Sequence, residues 1–164
     1  MGRAILWGGL ICGVLDIAYA FALYGTKGVP PVRLLQGIAG GLVGPVALRG
    51  GMATALLGLL LHFTIAFGAA VTYCLASRKL GWMIGRAFSS GLLFGVAVYF
   101  FMNFVVIPLS AIHRWPVFGT LFVVNLIEHM FIVGLPIALA ARSFMGIANV
   151  EVFPGTARRA SQSA

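Results

Sequence analysis

The stretch TLFVVNLIEHMFIVGLPIALAA, residues 120–141, decides how this chain is read. About 20 apolar residues in a helix cross the ~30 Å hydrocarbon core of a bilayer, and this stretch is long enough. It nevertheless carries Asn125, Glu128 and His129 in its interior. Asn125 and His129 are spaced i, i+4 and Glu128 stands i+3 from Asn125, so one broad helical face holds all three. A carboxylate in hydrocarbon costs roughly 2.5–3.5 kcal/mol on insertion scales, so such a face is expected to meet other helices or a wet cavity.

Working outward, residues 4–24, 52–76 and 88–109 are also long and apolar enough to span. Each holds its own interior polar residue: Asp16, His62 and Asn103. At 1.5 Å per residue, Asp16 and Glu128 lie ~12 Å from the expected outer interface, His129 ~13 Å and His62 ~15 Å. Asn103 and Asn125 come out at ~8 Å. Four helices thus bring their most polar side chains toward one slab, and the candidate site is Asp16, His62, Asn103, Asn125, Glu128 and His129.

Composition excludes an ordinary water-soluble domain. Of 164 residues, 61% are hydrophobic and only 9% charged, with a mean hydropathy of +1.06. The net charge of +8 does not indicate a nucleic-acid partner, because the basic residues lie singly or in twos and threes between apolar spans. They fit anionic lipid headgroups and an orientation signal. Arg3, Arg78, Lys79, Arg86, Arg142, Arg158 and Arg159 fall on one side, against Lys27, Arg33, Arg49 and Arg114, which places both termini in the cytoplasm. Cys12 and Cys74 match no metal spacing or disulfide framework and read as reduced packing residues. Arg3, the apolar run and Ala18-Tyr19-Ala20 have the look of a cleavable signal, but Asp16 and the run through Leu23 favour a retained first helix.

Residues 34–48 are apolar but short, and Gly37, Gly40, Gly41, Gly44 and Pro45 weaken a helix there. The expected fold is therefore all-α integral membrane: a four-transmembrane-helix bundle over residues 1–142, with a short re-entrant or interfacial segment after helix 1. Residues 143–164 are expected to form a polar, disordered cytoplasmic tail. Gly9 with Gly13, and Gly91 with Gly95, form small-xxx-small pairs expected to pack within the bundle first and between copies second. Pro108 and Pro136 read as kinks or stops. His113 and Arg114 in the outer loop are expected to meet headgroups.

No GxSxG, HExxH, Walker A or GxGxxG pattern is present, and the glycines at 37–44 lack the lysine of a phosphate loop, so no enzyme is expected. The leading reading is a small membrane protein whose buried cluster handles protons or a small solute. No cofactor is required by it. One rival is a b-type haem or a transition metal held by His62 and His129, with Asp16 and Glu128 adding to a metal site. Another is an accessory subunit or scaffold of a homo-oligomer or larger membrane complex. The plainest alternative is a hydrogen-bonded network that fixes helix register, each bond contributing about 0.6–2 kcal/mol.

His62 with the apolar run through Tyr73-Cys74, then Asn103 with Ile107-Pro108-Leu109, then Asn125 and His129 with Arg142 closing the helix, carry a family likeness. Over residues 61–142 the chain resembles the YagU-like family of small bacterial inner-membrane proteins. The resemblance implies a histidine at the place of His62 and a polar residue five before the proline, here Asn103. It also implies a last-helix histidine with a polar residue four before it, matching His129 and Asn125. The first helix and residues 25–51 depart from that family, so Asp16 inherits no role. A link to acid resistance implies a part in envelope or proton homeostasis in the bacterial cytoplasmic membrane.

Overall fold

Small residues set the packing of this molecule, and large ones cover its outside. In the computed structural model, which describes residues 1–146, the buried core is rich in alanine: Ala4, Ala66, Ala70, Ala87, Ala138 and Ala141. Leucines, isoleucines and phenylalanines such as Leu10, Leu60, Leu93, Ile127 and Phe131 instead point outward along the helices. Every regular element among the described residues is helical.

Helix α1 runs Gly2–Gly25 and α2 Pro31–Val43, followed by a 3-10 turn over Gly44–Arg49. Then come α3 (Gly51–Lys79), α4 (Ala87–Leu109) and α5 (Thr120–Met145), with a short helical turn at Trp82–Gly85 between α3 and α4. The tail expected from residue 143 begins inside α5, and its residues 147–164 lie outside the described part.

Helix α1 is central. Gly13 and Gly9 meet the rings of Phe63 and Phe67 on α3, so these two helices are antiparallel. Gly8 meets Ile137 and Ala140 near the other end of α5 from Asn125, which bonds Tyr19, so α1 and α5 are antiparallel too. Helices α4 and α5 touch backbone to backbone: a Cβ on Gly95 would enter the His129 carbonyl, and one on Gly134 would enter that of Gly91. At the Lys79 end, Tyr73 is fully buried and donates to Ser90 Oγ at 2.7 Å, while Ser90 donates to the Met83 carbonyl at 2.8 Å.

The expectation of four long apolar helices needs correcting. Five helical segments are long and apolar enough to cross a membrane, the additional one being Pro31–Arg49. Its glycines do not prevent a helix because close packing outweighs a propensity cost of about 1 kcal/mol each. Gly58 of α3 leaves room for the Leu35 carbonyl, and the Gly41 carbonyl accepts from Ala111 N–H at 2.9 Å. The segment is not one rod, however. Gly44 takes φ +76°, a left-handed conformation that favours glycine. Beyond it Arg33 donates to the Leu48 carbonyl at 2.9 Å and Gln36 to that of Gly51 at 2.9 Å. In a straight α-helix residues 15 apart are separated by ~22 Å, so the chain folds back here. Since α1 and α3 are antiparallel, the segment leaves and rejoins the bundle at the same end, the one marked by Tyr24 and Gly51.

The same substitution at two glycines is expected to have opposite signs. Gly68 on α3 has open space where a Cβ would go, so Gly68→Ala stabilises by about 0.5–1 kcal/mol. Gly95→Ala forces α4 off α5 and destabilises by about 1–3 kcal/mol. Thermal unfolding of the two variants in detergent micelles checks this.

Candidate functional site

Proline chemistry shapes the walls of the site. In α4 the helix widens to π geometry over Met102–Val106, and in α5 over His129–Gly134. Each π segment ends two residues before a proline, Pro108 and Pro136. Proline has no N–H to donate and its ring collides with the carbonyl four residues back, so a wider preceding turn accommodates it. The two widened turns carry Asn103 and His129 and face the same space.

That space is a cavity of about 720 Å³ between α1 to α5 at the Tyr24 end of the bundle. All six residues singled out from the sequence line it: Asp16 from α1, His62 from α3, Asn103 from α4, and Asn125, Glu128 and His129 from α5. Most of the remaining wall is aliphatic, so the polar groups form a small convergent set in an apolar surround.

Within it Asp16, Glu128 and His129 form the tightest group, with one donor atom from each within 4.8 Å of the others. The His129 ring folds against its neighbour, and Nδ1–H is shared between Glu128 Oε2 at 2.5 Å and the Asn125 carbonyl at 3.0 Å. Nε2 of His129 is left uncommitted. Glu128 is 6% exposed, and its second oxygen, Oε1, is buried without a hydrogen-bond partner. His62 approaches from α3. Its Nε2–H donates to the Gly13 carbonyl at 2.8 Å, which fixes the tautomer and turns Nδ1 toward Asp16 Oδ2, 3.9 Å away.

The asparagines are held differently. Asn125 Oδ1 accepts from Tyr19 O–H at 3.4 Å, tying α5 to α1, whereas Asn103 donates to the Tyr99 carbonyl one turn back on its own helix. Tyr99 packs edge-on to the His129 ring at 5.0 Å and donates to the Phe122 carbonyl at 2.9 Å. Tyr19 and Tyr99 were not among the residues read from the sequence. Both carried a signal: Tyr19 is i+3 from Asp16 and Tyr99 is i−4 from Asn103, each on the face already singled out. Arg114 is exposed and lines the cavity. His113 stays outside it, with φ +49° and Nδ1–H donating to the Pro108 carbonyl at 3.3 Å.

Chemically, the arrangement offers carboxylate oxygen and imidazole nitrogen to one point. Two acidic side chains adjoin in a mostly apolar surround, an arrangement that favours one protonated carboxyl or positive charge close by. The chain has three acidic residues in all, and two of them are at this point. Comparison of the chain with protein-family models, with curated proteins and with solved structures finds no match. The likeness to the YagU-like family therefore rests on the sequence features alone.

The tautomer-fixing bond of His62 has a measurable consequence. His62→Gln, which keeps a donor able to reach the Gly13 carbonyl, is expected to unfold near the native temperature in micelles. His62→Leu is expected to be less stable than the glutamine variant by about 1 kcal/mol.

Proposed function

We propose that this chain is a polytopic membrane protein that takes a small cation, the proton included, or a small positively charged solute into the cavity between its helices. The observation that carries the reading is the meeting of Asp16 and Glu128, from different helices, beside His129. Bringing two carboxylates together without a permanent Lys or Arg partner is costly in a structure with no use for it.

Membrane residence is supported by the five apolar helical segments and by the inversion of size between core and surface. Exposed Leu10, Leu60, Leu93, Ile127 and Phe131 belong to an apolar exterior far beyond the few hundred Å² that soluble monomers leave uncovered. In this reading α1, α3, α4 and α5 cross the bilayer, and the folded-back Pro31–Arg49 segment enters from the Tyr24 side and returns to it. Arg33 and Arg49 then stay on that side. The Lys/Arg distribution puts the Lys79 end, with Arg3, Arg78, Lys79 and Arg86, in the cytoplasm of a bacterial cell and opens the cavity outward. A part in envelope or proton homeostasis accords with the YagU-like resemblance.

Proteoliposomes loaded with a pH-sensitive dye test the transport form of the proposal. The wild-type chain is expected to give a cation or proton flux that Glu128→Gln reduces by about tenfold or more, while His113→Asn in the outer loop leaves it unchanged. A flux indifferent to Glu128→Gln would overturn the assignment of this site.

A further inference from the structure

We infer that the cavity holds a first-row divalent transition-metal cation on Asp16, Glu128 and His129, with His62 closing the site. This inference deepens the cation reading above and rests on it.

Four observations lead to a metal ion. First, Asp16 on α1 and Glu128 and His129 on α5 each bring one donor atom within 4.8 Å of the others; an ion ~2.0–2.2 Å from each of two opposed donors needs them ~4–4.4 Å apart. Second, Glu128 lines the cavity, is 6% exposed, and has its Oε1 buried without a hydrogen-bond partner, so that oxygen keeps its lone pairs uncommitted. Third, both histidines show the supporting geometry of metal ligands. His62 donates Nε2–H to the Gly13 carbonyl and His129 donates Nδ1–H to the Asn125 carbonyl and Glu128, so each keeps one ring nitrogen free. Fourth, the ion would supply the positive charge that lets both adjoining carboxyl groups ionise together.

The donor set also selects the ion. Imidazole nitrogen favours zinc, iron or nickel over magnesium and calcium, which prefer all-oxygen shells. The group contains no thiolate: Cys12 Sγ, one turn before Asp16, donates instead to the Gly9 carbonyl at 3.5 Å, so a soft copper(I) site is disfavoured. Haem suits the geometry less well, because His62 offers only Nδ1, the nitrogen next to its own side-chain stem.

The test is equilibrium dialysis of the full chain in mild detergent against Zn²⁺, with metal analysis of the retained protein. One ion per chain is expected, undisturbed by a large excess of Mg²⁺. Asp16→Asn and Glu128→Gln should each weaken binding by at least about tenfold, while His113→Asn binds as the wild type does. Should an amide variant fail to fold, Co²⁺ in the wild-type chain decides. Visible d–d bands that Zn²⁺ bleaches support a nitrogen–oxygen site, and a spectrum identical to Co²⁺ in buffer overturns it. No bound Zn²⁺, or Zn²⁺ retained equally by both amide variants, also overturns the inference. In that case a proton flux still sensitive to Glu128→Gln leaves the broader cation reading standing, and its absence removes both.

Discussion

The polar groups of the cavity are arranged around one constraint: the carboxyl groups of Asp16 and Glu128 adjoin where both can be ionised only with positive charge close by. Asp16 and Glu128 lie on helices that also pack through Gly8 and through the Tyr19–Asn125 bond, so they cannot drift apart without separating α1 from α5. His129 meets Glu128 from the adjoining position, and His62 reaches Asp16 from the far side with its tautomer fixed on the Gly13 backbone. The mixture of adjoining carboxyl groups and imidazole is what the cation proposal rests on.

Local chain chemistry makes the convergence possible. Adjacent residues of a regular α-helix point ~100° apart, an awkward arrangement for Glu128 and His129 to serve one cavity. The π turn over His129–Gly134 relaxes that geometry, and Pro136 is its physical cause. Pro108 acts in the same way on Met102–Val106. π turns recur at functional sites because they reposition side chains without ending the helix. Glycine complements proline here: Gly91, Gly95 and Gly134 bring α4 and α5 into backbone contact along the π turn of α5.

How much of this was legible in the sequence depends on the residue. Asp16, His62, Asn103 and the Asn125–Glu128–His129 face stand out because polar groups in long apolar runs carry a large transfer cost, and that cost makes them meet. The four longest helices were readable from the same apolar runs. Pro31–Arg49 was underestimated because glycine propensity describes an isolated helix, whereas Gly58 and the Ser110–Ile112 loop supply tertiary packing that no local window contains. The π turns were hidden behind the ordinary meaning of proline. Tyr19 and Tyr99 were missed for another reason: tyrosine in a membrane span reads as an ordinary packing or interface residue, and only the fold turns these two toward the cavity. The Tyr73–Ser90–Met83 network joins residues far enough apart in sequence that neither partner announces the other.

The central claim is that Asp16 and Glu128 act on each other, and a double-mutant cycle addresses it most directly. Unfolding free energies would be measured in micelles, in the presence of a metal chelator, for wild type, Asp16→Asn, Glu128→Gln and the double variant. The account predicts non-additive effects, with a coupling larger than about 0.5 kcal/mol, because replacing either carboxylate changes what the other experiences. Effects that add to within about 0.3 kcal/mol would show two independent side chains and contradict the site.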